Sequence, residues 1–229
     1  MWLLLLALLA PFTPTLDLYV SGLFYTPGWG FDDNVVFQAL FRYGELFGLA
    51  TGALASLLFL FSFFRQKWRK WRLGSLAMVL TLVIGAGLIT NVGFKGYWGR
   101  PRPKQIVEFD GKHLYRPFWK PDFNTRNDPQ RSFPSGHVAM GFYFLSLCLV
   151  ARRYKNRLLF RTGVVLVLFL GGGLMMARVV QGGHFFSDVI VSPILMWYVA
   201  KAVDRFTWGE WAQRVLYLDS PDSSALDQN

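Results

Sequence analysis

Three short stretches of this 229-residue chain carry reactive side chains at fixed spacings. Lys95 is followed, after six residues, by Arg102 and Pro103. Pro134-Ser135-Gly136-His137 forms the second stretch. Arg178, His184 and Asp188 form the third, with five and then three residues between them. The cations suit an anion, and two imidazoles with a carboxylate suit nucleophilic and acid–base chemistry at phosphorus. If His184 opens a helix, Asp188 lies on the same face one turn later, where a carboxylate fixes the imidazole tautomer and stabilises its cation. The planar fork of Arg178 can hold two phosphate oxygens. Ser135 reads as a helix N-cap, and Gly136 lets the backbone amides of that helix start approach an anion closely. Each residue also has a plainer reading. Lys95 alone could be a snorkelling anchor, His137 a helix cap, and Asp188 the buried ion-pair partner of Arg178.

These stretches must be brought together by apolar segments. The chain is 53% hydrophobic and only 17% charged, too few charges for an ordinary soluble domain of this size. Residues 46–64 and 73–94 contain no charge and can each cross the hydrocarbon layer as a helix. Residues 2–20, 138–151, 162–178 and 184–203 complete a predicted all-α, six-transmembrane-helix bundle in a single domain, 1–219. The N-terminal run, interrupted by Pro11, Pro14 and Asp17, has the alternative of a cleaved signal peptide. Residues 220–229 read as a disordered cytoplasmic tail.

Net charge is +10, and its distribution sets orientation. Arg65 to Arg72 holds five cations in eight residues, and Arg152, Arg153, Lys155 and Arg157 form a second cluster. Short basic loops stay cytoplasmic, so all three reactive stretches face outward together. This reading displaces nucleic-acid binding. The outer loop 96–134 carries eight Lys and Arg against four acids, a basic vestibule for an anionic headgroup or simply a soluble loop. Tyr97, Trp98 and Trp119 are expected at the headgroup level. Arg42 and Glu45 read as an interfacial ion pair. The single cysteine, Cys148, excludes an intrachain disulfide, and no metal-ligand cluster is evident.

The order K-x6-R-P, P-S-G-H and R-x5-H-x3-D resembles the type-2 phosphatidic acid phosphatase superfamily, over about residues 95–188. Ala177 departs from the pattern, which commonly has Ser before the Arg. The resemblance implies His184 as the nucleophile that forms a phosphohistidine, Asp188 as its orienting partner, and His137 as acid to the leaving oxygen. Lys95, Arg102, Ser135, Gly136 and Arg178 would bind phosphate. No cofactor or metal is implied. The implied substrate is a phospholipid or glycolipid phosphate in the bilayer, at the periplasmic face of a bacterial inner membrane. Lipid A 1-dephosphorylation is the first expectation. The alternatives are phosphatidylglycerophosphate or undecaprenyl pyrophosphate hydrolysis, a lipid phosphotransferase, and a non-enzymatic anionic-lipid binder or transporter. Oligomeric state is left open.

Overall fold

A computed structural model describes residues 2–125 and 130–217, so the expected tail at 220–229 lies outside the described residues. Among the described residues five helices are long and apolar enough to cross a membrane: α1 (Leu4–Gly22), α2 (Val35–Phe64), α3 (Gln66–Tyr97), α6 (Arg157–Val180) and α7 (Phe186–Thr207). Between α3 and α6 lie two shorter helices, α4 (Gly136–Phe142) and α5 (Leu145–Arg153), and α8 (Glu210–Tyr217) follows α7. The α4–α5 pair stands where the 138–151 segment was expected. It is enclosed rather than lipid-facing, with Val138, Ala139, Tyr143, Phe144 and Ala151 at most 1% exposed. The Ser146 hydroxyl and amide both bond the Tyr143 carbonyl where α4 gives way to α5.

α2 begins eleven residues before the expected 46. Asn34 caps it, its side-chain oxygen accepting from the amides of Val36 and Phe37 at 3.0 and 3.2 Å. Arg42 and Glu45 therefore lie inside a helix and not at its edge. Lipid-facing leucines and phenylalanines cover much of α2, while Gly44, Gly48 and Gly52 form a buried stripe one turn apart. A methyl group at Gly44 would come within 2.6 Å of Leu174, and one at Gly48 within 2.7 Å of Met140. Small residues at one-turn spacing let membrane helices approach closely, where dispersion replaces the hydrophobic drive.

α7 runs through the middle of the bundle, touching α1, α3, α4 and α5. The core beside it holds Met78, Ala86, Met140, Tyr143, Phe144, Met196 and Val203. The described residues between 98 and 135 pack against the bundle. Ile106, Phe109 and Phe185 form one apolar cluster with residues of the short hairpin β1 (Tyr25–Thr26) and β2 (Gly30–Phe31). Phe118, Phe133 and Val191 form another. Trp98 packs into this second cluster and donates its indole N–H to the Phe118 carbonyl at 2.6 Å, whereas Tyr97 and Trp119 remain exposed. Loop residues thus supply Trp98 with both a ring stack and an acceptor.

Candidate active site

The structure brings the three stretches together at one end of the bundle. Arg178 closes α6, and its carbonyl accepts the amides of both Gly183 and His184 at 3.0 Å, folding the chain straight back. Gly182 makes this turn in the left-handed region, at φ 58°. Gly183 is needed for another reason: a methyl group there would run into the Arg178 guanidinium. His184 therefore sits in the turn before α7 and not on its first face, correcting the helical i, i+4 reading. Its Nδ1 still stands 3.7 Å from Asp188 Oδ2, beyond hydrogen-bond reach. Burial pushes the His184 pKa down to about 4, against the opposing pull of Asp188, so its imidazole is neutral near pH 7.

Asp188 is held from the other side. Its Oδ2 accepts the Ser132 hydroxyl at 2.6 Å and the Phe185 amide at 2.9 Å, and its Oδ1 pairs with Arg100. Its cation is thus Arg100 and not Arg178. Arg100 is fully buried between two carboxylates, since its second terminal nitrogen pairs with Asp17 of α1 at 2.6 Å. Its Nε donates to the Arg116 carbonyl at 2.8 Å, and its guanidinium lies over the Phe185 ring. Asp17 also accepts the Ser187 amide at 2.8 Å, the Ser187 hydroxyl at 2.7 Å and the Tyr115 hydroxyl at 2.9 Å. Sequence reasoning gave Arg100 no role beyond one of the cations of the 96–134 loop, and took Asp17 as an interruption of a hydrophobic run. The one available signal was a carboxylate inside an apolar segment, which is costly unless it is paired.

Ser135 is fully buried and does not cap α4 with its side chain. Its amide instead donates to the Ser192 hydroxyl at 2.9 Å, which pins the Pro-Ser-Gly-His turn to α7. The Ser135 Oγ is left without a partner in the protein. A methyl group on Gly136 would come within 2.8 Å of Asn91 Oδ1 and 3.3 Å of Lys95 Nζ, so only glycine admits the lysine here. Lys95 ends a stretch of wide turns, Thr81–Phe94, in which the Thr90 and Asn91 side chains bond carbonyls five residues back.

His137 stacks on Phe41 with centroids 4.7 Å apart, and the Arg178 guanidinium lies over the same ring at 4.6 Å. Glu45 Oε1 is 3.3 Å from His137 Nδ1 without hydrogen-bond alignment. This corrects the reading of Arg42 and Glu45 as an ion pair with each other. The charges of Arg178, Lys95 and Arg102 all act on His137. Arg178 is 5% exposed; its Nη1 donates to Gln181 Oε1 at 2.9 Å, and its Nε has no partner in the protein. All eight expected residues thus converge. Among the described residues no group of three His, Cys, Asp or Glu is placed to hold a metal ion.

Behind Arg102 and Arg178 opens a cleft of about 750 Å³, reaching the β1–β2 hairpin, Arg42 and Lys104.

The PAP2 superfamily model matches residues 75–212. A lipid A 4'-phosphatase of Francisella tularensis subsp. novicida is 34% identical over 80% of this chain and 82% of its own length. A phosphatidylglycerophosphatase B of Haemophilus influenzae is 25% identical over 70% of this chain and 76% of its own. No solved structure matches the chain.

Proposed function

Because the chain belongs to the PAP2 superfamily, we propose that it is an integral-membrane phosphatase that hydrolyses a phosphate of lipid A through a phosphohistidine. One observation carries the reading. The Arg178 Nε and the Ser135 hydroxyl are buried without a protein partner, beside Lys95 and Arg102. Buried donors left unmade are costly, and a phosphate dianion supplies the acceptors for all of them.

In this reading His184 Nε2 attacks phosphorus while Nδ1 faces Asp188, and the carboxylate takes the positive charge that develops on the ring. The 3.7 Å gap closes as the substrate seats, as apo catalytic contacts commonly do. As the phosphate dianion offsets the charges of Arg178, Lys95 and Arg102, His137 takes up the proton that it passes to the leaving oxygen when the bond from phosphorus breaks, with Glu45 orienting the His137 ring. His137, now neutral, takes a proton from water, whose oxygen displaces the histidine and releases inorganic phosphate. Arg178, Arg102 and Lys95 spread the charge of the equatorial oxygens, which is most of what phosphoryl transfer requires of a protein.

Lipid A is supported by the relative at 34% identity, and that relative's name favours the 4'-phosphate over the 1-phosphate expected from the sequence. Phosphatidylglycerophosphate is the second reading, supported by the relative at 25%. Six crossings, with α4–α5 as the enclosed one, fit a site at the periplasmic face of the inner membrane. The exposed basic segments near residues 65–72 and 152–157 then stay cytoplasmic.

The test is phosphate release from lipid A, phosphatidylglycerophosphate, undecaprenyl pyrophosphate and phosphatidic acid by purified protein in detergent with EDTA. Mass spectrometry identifies the position lost from lipid A. The expected result is release of the 4'-phosphate by wild type and none by His184→Ala. Wild-type rates in His184→Ala would sink the nucleophile assignment, and preferred release from phosphatidylglycerophosphate would sink the substrate assignment.

A further inference from the structure

The cleft behind the phosphate site is far larger than a phosphate needs. At about 750 Å³ it falls in the range of sites that enclose a whole small-molecule ligand, about 300–1,000 Å³. Its charges are unevenly satisfied. Asp33 accepts the Gln181 amide at 2.8 Å, and Asp110 accepts the Tyr25 hydroxyl. Arg42 and Lys104 line the same space, are exposed, and make no side-chain hydrogen bond or salt bridge among the described residues. Both acids of the cleft bond neutral donors, and although Asp33 also acts electrostatically on Lys104, the four cations lining the cleft outnumber its two carboxylates, with Arg42 and Lys104 outside the catalytic set.

We propose that this cleft binds the headgroup of the substrate lipid, with Arg42 and Lys104 holding a second anionic group, a phosphate, remote from the one that is cleaved. The inference deepens the lipid A reading and rests on it, since it requires a headgroup with two phosphates. Lys104 is anchored for the purpose: its amide donates to the Gly182 carbonyl at 3.2 Å, tying it to the turn that carries His184. Partial burial, and then the like charges of Arg102 and Arg178, push its ammonium pKa down, a cost that an anion in the cleft relieves. The lining also includes the packed rings of Tyr25, Phe31 and Phe109, whose centroids lie 5.1–5.3 Å apart. A cleft lined by both rings and cations suits a phosphorylated sugar better than a bare ion.

Binding and turnover separate this inference from the phosphatase reading. Isothermal titration of the His184→Ala protein in detergent would compare bisphosphorylated lipid A with each of its two monophosphates. The expected preference for the bisphosphate is about tenfold or more, the factor of a charge-assisted hydrogen bond. Arg42→Gln and Lys104→Gln should each reduce that preference, and the double variant should abolish it. Both positions are exposed, so the fold tolerates the changes, and retained monophosphate binding reports it. Equal binding of bisphosphate and monophosphate by the His184→Ala protein overturns the proposal. So does an undiminished preference in the double variant. If the preference behaves as expected but wild type releases phosphate from no lipid, the subsite stands and the phosphatase reading falls.

Discussion

Arg100 pairs with Asp188 and Arg178 ends the helix that turns back into His184, and both are buried, at 0% and 5% exposure. Arg100 has every nitrogen engaged: two carboxylates, a serine hydroxyl, a tyrosine hydroxyl and a carbonyl. Arg178 has one amide oxygen, an aromatic face and an Nε with no partner. The first guanidinium is part of the scaffold, and the second is incompletely satisfied, as the proposed anion site requires. Burial alone does not distinguish a structural charge from a binding one; the inventory of its partners does.

The largest expected effect breaks the scaffold side. Arg100→Ala leaves Asp17 and Asp188 buried without their cation, and losing one partner of a buried ion pair costs about 3–5 kcal/mol. Thermal unfolding in detergent should shift down sharply, and an unshifted midpoint would remove the distinction between the two arginines.

Arg178→Ala should do the reverse. Activity falls about 10²–10³-fold, as when a transition-state donor is removed, while the unfolding midpoint holds or rises because an incompletely paired buried cation is gone. A stability loss matching that of Arg100→Ala would show Arg178 to be structural as well.

Asp17→Asn is a smaller test of the scaffold. It keeps the acceptor oxygen for Ser187 but removes one charge from Arg100, with an expected loss of about 1–3 kcal/mol. If it lowers kcat through Asp188, the effect should appear in kcat and leave KM near its original value. A change in KM alone would separate α1 from the catalytic carboxylate.

Ser135→Ala is the mildest. It deletes one unpartnered hydroxyl and should cost about tenfold in kcat/KM with no loss of stability. Loss of stability there would mean that the hydroxyl has a structural partner after all.

Much of the site was legible as spacing. The distances along the chain between Lys95 and Arg102, between Pro134 and His137, and from Arg178 to Asp188 named, before any fold was known, the set that the fold gathers at one end of the bundle. Apolar blocks named α1, α3, α6 and α7 to within two turns, while the block at 138–151 became the two helices α4 and α5 and α2 began eleven residues early. There the charges of Arg42 and Glu45 made the start of the helix look like a loop, although both point into the site region. Asp17 was illegible for a related reason: a carboxylate in a hydrophobic run has no local partner, and its partner lies 83 residues away.

The sequence by itself determined which groups can act on phosphorus, and that they meet at one end of a membrane bundle. Local spacing and hydrophobic runs are enough for that, because a motif carries its own geometry and the bilayer admits few arrangements of apolar helices. Only the tertiary structure decided which cation neutralises Asp188, that Glu45 stands beside His137, and that Arg42 and Lys104 share a cleft with Arg178. These are pairings between residues far apart in the chain, selected by the cost of burying an unpaired charge, and that cost depends on what packs around it.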